Sequence, residues 1–146
     1  MARKRAKTDA AAPIGQHAHE QASALLRRFA FQVNRTARQA DADAIHDIRV
    51  AIRRFSQCLR AFRQFFPKGK AKKIRQEMKA VLDLAAEVRN RDIALELLKE
   101  AEIEDGSRLA RGFARERRQT GQALRAAIRR LGRQNFSRKW RAQLQV

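Results

Sequence analysis

Between residues 44 and 66, histidine and arginine recur at a spacing that would align them along one side of a helix. His46, Arg49, Arg53 and Arg60 are separated by three, four and seven residues. At about 100° per residue, they fall within a narrow sector around the helix axis. A guanidinium group offers phosphate oxygens a planar fork of donors, and an imidazole can add another N–H. This row is therefore suited to binding a phosphate-bearing anion.

Two later stretches repeat this arrangement of cations beside an apolar stripe. The second row contains Lys72, Arg75, Lys79 and Arg89. The third row contains Arg108, Arg111, Arg115, Arg118, Arg125 and Arg129. A single row of this kind is usually a solvated helix face, whereas three rows that meet would form a groove for a polyanion. We expect the three rows to converge on one groove.

The overall charge favours the same class of ligand. The chain has 146 residues and a net charge of +19, from 34 Lys and Arg against 15 Asp and Glu. This is large beside the magnitude of about 2–8 that is common for small domains. The composition favours nucleic acid, inorganic polyphosphate or an anionic membrane surface as partner. The plainest alternative is a basic protein whose charge serves only solubility.

The sequence does not predict a catalyst. It contains no glycine-rich phosphate loop, no Ser-His-Asp set and no carboxylate pair placed for acid–base work. A metal site at His46 is disfavoured because no second His or Cys follows at helical ligand spacing. We therefore expect a binding protein that is not an enzyme and needs no cofactor.

Apolar residues at alternating steps of three and four predict four helices, over about 15–40, over 44–66, from near Lys70 to a stop at Gly106, and over about 108–132. Leu25 and Leu109 lie on the apolar stripes of the first and fourth helices and are expected in the core. A short final helix is expected to hold Trp140 and Leu144. No strand-period stretch competes, so the prediction is an all-α fold, a single up-and-down four-helix bundle. Residues 14–146 would form the bundle, and residues 1–13 would form a disordered basic tail because they lack a core pattern.

The stretch from Ile45 to Phe55, Ile-His-Asp-Ile-Arg-Val-Ala-Ile-Arg-Arg-Phe, resembles the opening motif of the CHAD domain, the conserved-histidine α-helical domain. The stretch from Ala85 to Ile93 resembles the second signature of that family, Leu-Gly-x-x-Arg-Asp-x-Asp-Val. It differs at Ala85, Ala86 and Asn90, where the family usually has Leu, Gly and Asp. The family pattern normally has two similar four-helix halves, and this chain resembles the first half.

The resemblance implies a helical module that binds inorganic polyphosphate through a basic groove without a reaction of its own. It also implies that Asp92 lies inside and pairs with an arginine such as Arg49. The three basic rows and the resemblance together predict the polyphosphate-binding residues His46, Arg49, Arg53, Arg60, Arg75, Lys79, Arg89, Arg111, Arg115 and Arg118. From the residues alone, a structural role for His46, bonding a neighbouring carboxylate, is slightly favoured, and the resemblance reverses this in favour of a phosphate donor.

Nucleic acid is the main alternative partner. Most phenylalanines lie on core stripes, which leaves few aromatic rings for base stacking, but exposure of Phe31, Phe136 or Trp140 would weaken that objection. A third possibility is a structural bundle that binds a protein partner through an exposed apolar patch.

Three further expectations concern assembly and location. Because the second half of the family pattern is missing after Val146, we expect a homodimer to supply it. No run of about 18 apolar residues predicts a membrane span. Cys58 is the only cysteine, which fits a reducing, cytoplasmic location.

Overall fold

The computed structural model describes the backbone of residues 2–146 and the side chains of residues 12–146. Its helices are α1 (Ala2–Arg38), α2 (Ala42–Ala61), α3 (Lys70–Glu100), α4 (Arg108–Arg133) and α5 (Phe136–Leu144), with one 3₁₀ turn at Arg63–Phe65. The described backbone contains no strand, so the predicted all-α class is confirmed. The tail predicted for residues 1–13 lies almost entirely outside the described side chains and stays a prediction.

Local sequence signals set the helix boundaries. The side chain of Asp41 accepts a hydrogen bond from the amide of Ala44 at 2.8 Å, and this N-cap starts α2. Ser107 caps α4 in the same way, with its hydroxyl 3.1 Å from the amide of Ala110. Gly69 adopts a left-handed φ of 77° just before α3, a conformation that glycine adopts without strain. Asp and Ser are among the residue types most favoured at this position, because their side-chain oxygens satisfy a free amide of the first helical turn.

The four long helices pack in sequence order, each against the next, and α1 also contacts α4. Their stripes form one continuous core with α5, and the predicted stripes of α2 and α3 are buried as expected. α1 has two adjacent leucines, and Leu26 is the one that is fully buried. Leu25, which was predicted to be the core residue, is only partly buried. The spacing from Ala22 to Leu26 to Phe29 keeps the alternation of four and three, and this register faces the core.

The short helix α5 contributes the largest core side chain. Trp140 is fully buried and stacks on Phe29, with 5.7 Å between the ring centroids. Phe136 packs edge-on against Trp140 at 5.0 Å. The indole N–H of Trp140 donates to a carboxylate oxygen of Glu77 at 3.1 Å, so its polar atom is satisfied. Two of the three aromatic residues considered for base stacking are therefore core residues.

The two hairpins of the fold differ in length. α2 has 20 residues and α3 has 31, so α3 is longer by roughly 16 Å at 1.5 Å per residue. α3 and α4 consequently extend past the turn that joins α1 to α2. This explains why Leu109, predicted to be a core residue at the start of α4, is 53% exposed.

Two further properties of the fold are the state of its cysteine and the apolar character of its helices. Cys58 is buried, and burial raises the pKa of its thiol, so the thiol stays protonated near neutral pH. Over the residues searched, no helix is both long and apolar enough to cross a membrane.

Candidate functional site

Three arginines gather on the face that α2 and α3 share. Arg49 and Arg53 project from α2, and Arg89 projects from α3, which packs against it. Burial lowers the pKa of Arg49, and the positive charges of Arg53 and Arg89 lower it further. Because nearby like charges disfavour the charged form, this shift indicates cations held close together. We call Arg49, Arg53 and Arg89 the arginine cluster.

The positive charge of the cluster is only partly compensated. Within residues 12–146, neither Arg49 nor Arg53 forms an ion pair. Arg89 meets Glu96 at 3.6 Å, beyond the usual hydrogen-bond distance. The Nε atom of Arg49 is buried and has no hydrogen-bond partner among the described residues. An unpaired charged donor of this kind is costly to bury, and an anion would relieve that cost.

The other predicted residues of these two helices extend the same face. His46 and Arg60 are exposed on α2, on the side of the helix that carries Arg49 and Arg53. Arg75 is half-buried on α3, and Lys79 is exposed and pairs with Asp83 at 2.8 Å. Seven of the ten predicted binding residues therefore belong to α2 and α3. We call this surface the α2–α3 basic face.

The remaining three predicted residues lie elsewhere. Arg111, Arg115 and Arg118 line a separate concavity of about 660 Å³ on α4, together with Arg108. The side of α4 that meets α3 instead carries Glu116, which pairs with Arg91 at 3.4 Å. Further along the row, Arg125 donates to the carbonyl of Ala37 in α1 at 3.3 Å.

We expected the three basic rows to converge on one groove. That prediction was wrong. The rows of α2 and α3 lie together, whereas the α4 row lies on the part of α4 that turns away from α3 and borders α1. We call the concavity lined by Arg108, Arg111, Arg115 and Arg118 the α4 concavity.

Asp92 lies inside, as expected, but its partner is Arg117 and not Arg49. The Nε atom of Arg117 donates to Oδ1 of Asp92 at 2.8 Å, and Nη2 donates to the carbonyl of Ala40 at 2.7 Å. Both side chains of the pair are largely buried, with 21% and 15% of their surface exposed. Arg117 thus ties the α3–α4 hairpin to the turn between α1 and α2.

The spacing of cations in the sequence did not identify Arg117 as an important residue. The glycine at position 121 could have indicated it, because it marks a place where another side chain needs space. A Cβ atom on Gly121 would lie 2.7 Å from Nη1 of Arg117. The missing side chain of Gly121, one helical turn later, therefore leaves room for the guanidinium group.

Comparison with protein families decides the identity of this fold. A family model described as the CHAD domain matches residues 20–145, nearly the whole chain. The chain belongs to the CHAD-domain family. Comparisons with curated proteins and with solved structures gave no significant match.

In this CHAD domain, the histidine of the first motif is free to face a ligand. His46 is exposed in the second turn of α2, three residues before Arg49. Its ring pairs with no carboxylate among residues 12–146, so the structural alternative considered for His46 lacks the partner it requires. The position suits a donor at the edge of the arginine cluster.

The Arg117 contacts should contribute strongly to the stability of this CHAD domain. We expect Arg117→Ala to lower the free energy of unfolding by about 2–3 kcal/mol, because it leaves the buried carboxylate of Asp92 without its cation. Lys79→Ala is the control, since its pair with Asp83 is exposed and should be worth less than about 0.5 kcal/mol. Urea denaturation measures both, and equal losses would contradict a special role for Arg117.

Proposed function

We propose that this protein binds inorganic polyphosphate through the α2–α3 basic face and performs no reaction on it. The observation that carries the proposal is the arginine cluster, in which Arg49 is partly buried beside Arg53 and Arg89 and keeps an unpaired donor. Membership in the CHAD family supports it, because that family is associated with polyphosphate binding.

The chemistry of the ligand fits the chemistry of the face. A linear phosphate chain offers about one negative charge per unit and no base edges, so it needs repeated cationic donors and no sequence recognition. Guanidinium groups bind phosphate oxygens through two parallel hydrogen bonds, which lysine cannot do. Burial and the charges of Arg53 and Arg89 lower the pKa of Arg49 in the free protein, and a bound anion would stabilise the charged guanidinium group against both effects. Binding therefore relieves a cost that the folded protein already carries.

The placement of aromatic residues disfavours a nucleic-acid ligand. Single-stranded nucleic acids are held by stacking of bases on exposed rings as well as by cations. Phe136 is 6% exposed and Trp140 is fully buried, and only Phe31, at 64%, is exposed among the three residues considered. Phe31 lies in a groove between α1 and α2, away from the arginine cluster.

The location is part of the same proposal. Cys58 is expected to stay a reduced thiol, which supports a cytoplasmic location.

A competition experiment at physiological salt tests the proposal. Labelled long-chain polyphosphate is bound to the protein, and unlabelled polyphosphate, single-stranded RNA or duplex DNA is added at equal total phosphate. We expect unlabelled polyphosphate to displace the label at a concentration at least tenfold lower than either nucleic acid requires. Screening over a Debye length of about 8 Å weakens purely diffuse attraction under these conditions. Equal displacement by RNA would instead support a nucleic-acid-binding protein.

A further inference from the structure

The end of α3 and the turn after it differ in charge from the rest of the chain. Residues 93–105, which we call the acidic tip, contain five carboxylates and one lysine in a chain whose net charge is +19. The carboxylates are Glu96, Glu100, Glu102, Glu104 and Asp105. The tip begins just beyond the contacts that Arg117 makes with Asp92 and Ala40. It therefore projects past the turn between α1 and α2.

The same region exposes apolar side chains. Leu97 is 57% exposed, Ile93 38% and Ile103 37%, and Leu109, at the start of α4, is 53% exposed. Six large apolar side chains are exposed among residues 12–146, and four of them lie here. Isolated exposed apolar residues need no explanation, but a group of them on one projection is typical of a docking surface.

A groove elsewhere on the molecule has the opposite charge. The α1–α2 groove has a volume of about 670 Å³ and is lined by the apolar residues Ala24, Leu25, Phe31, Val50 and Ala51. Arg27, Arg28 and Arg54 also line it. Its one carboxylate, Asp47, is paired with Arg35 of α1 and so adds little free negative charge. The groove thus combines an apolar lining with three cations.

We propose that the acidic tip of one molecule docks into the α1–α2 groove of a second copy. Apolar side chains of the tip would contact the apolar lining, and tip carboxylates would face Arg27, Arg28 and Arg54. Contact between two tips would bring carboxylates together, and contact between two grooves would bring arginines together. Charge therefore favours a contact between unlike surfaces, which differs from one patch meeting its own copy.

The α1–α2 groove shares no residue with the α2–α3 basic face. Among the described side chains of the tip, Glu96 alone forms an ion pair with the arginine cluster, at 3.6 Å from Arg89, and the variants below leave Glu96 unchanged. Association and polyphosphate binding are thus separate properties, and the test below is made without polyphosphate. The tip offers only the residues from 93 to 105, fewer than the about 20–30 residues a side of a stable interface, so the association should be reversible and depend on concentration. We expect the weight-average mass of the wild-type protein to rise with concentration in sedimentation equilibrium at physiological salt, which screens the long-range repulsion between two chains at +19.

Two charge-reversal variants separate the two sides of the contact. Glu100→Lys with Glu104→Lys reverses the tip, and Arg27→Glu with Arg28→Glu reverses the groove; all four side chains are exposed, so the fold should survive. Each variant alone should associate at least tenfold more weakly than the wild type. An equimolar mixture should associate again, because each variant offers the surface that complements the other. One chain carrying all four changes should also self-associate.

The control is Lys68→Glu with Lys70→Glu, which makes the same charge change as the groove variant at exposed positions before and at the start of α3. It should keep wild-type association. A wild-type protein that stays monomeric at every concentration, or a mixture that fails to associate, would overturn the proposal. Unchanged association of the tip variant would do the same.

Discussion

Charge reversal at Arg49 and Arg53 together should weaken polyphosphate binding by at least about 100-fold, which is about 2.7 kcal/mol. The reason is local, because both arginines belong to the cluster and neither has an ion-pair partner within residues 12–146. Two new glutamates would also pair with Arg89 and withdraw it from the ligand. Hydrogen bonds between charged groups contribute about 1.5–3 kcal/mol each, so losing two gives this magnitude. Fluorescence anisotropy with labelled polyphosphate measures the change.

The matched control reverses Arg111 and Arg115 in the α4 concavity. That variant makes the same change in net charge and alters exposed side chains only. If the α2–α3 basic face is the site, the control should lose only the diffuse electrostatic attraction, less than about tenfold at physiological salt. Equal losses in both variants would mean that affinity follows net charge. Unchanged binding after reversal of Arg49 and Arg53 would place the site elsewhere.

Polyphosphate should also stabilise the fold strongly. A ligand that binds only the folded state adds about 2.7 kcal/mol of stability at a free concentration one hundred times its Kd. For a chain of 146 residues this corresponds to a rise in Tm of roughly 5–10 °C. Differential scanning calorimetry with increasing long-chain polyphosphate measures the rise, which should be absent from the variant reversed at Arg49 and Arg53.

Orthophosphate at equal total phosphate and equal ionic strength is the control for this measurement. General screening would reduce the self-repulsion of a chain at +19 and raise Tm with either salt. A specific site that spans several phosphate units should respond far more to the chain than to its monomer. Equal shifts with the two salts would contradict a site on the α2–α3 basic face.

The helices and most of the core could be predicted from the sequence because their apolar periodicity is regular. Ile45, Ile48 and Ile52 on α2 are all buried where the pattern places them. The predictions that failed concern how far a helix extends past its neighbours or how it is rotated against them. Both depend on parts of the chain that are distant in sequence. Leu109 follows the core pattern, but it lies past the turn that joins α1 to α2, so neither of those helices covers it.

The meeting of the α2 and α3 rows on one face was predictable for the same reason, since each row lies beside the stripe that joins the two helices. The α4 row could not be placed because its direction depends on how α4 rotates against α3, and Glu116 takes the side facing α3. The role of Arg117 depends on a contact with Ala40, 77 residues earlier in the chain. Spacing within one helix carries no information about such a partner.

The buried indole of α5 gives the protein an internal optical probe. The chain contains one Trp and no Tyr, so its near-ultraviolet emission comes from Trp140 almost alone. That fluorophore is shielded from water, stacked on Phe29 of α1 and bonded to Glu77 of α3. Its emission should shift to longer wavelength when these helices separate, whereas charge reversals at the surface should leave the spectrum unchanged. Unlabelled protein can thus distinguish a variant that has lost a binding surface from one that has lost its fold.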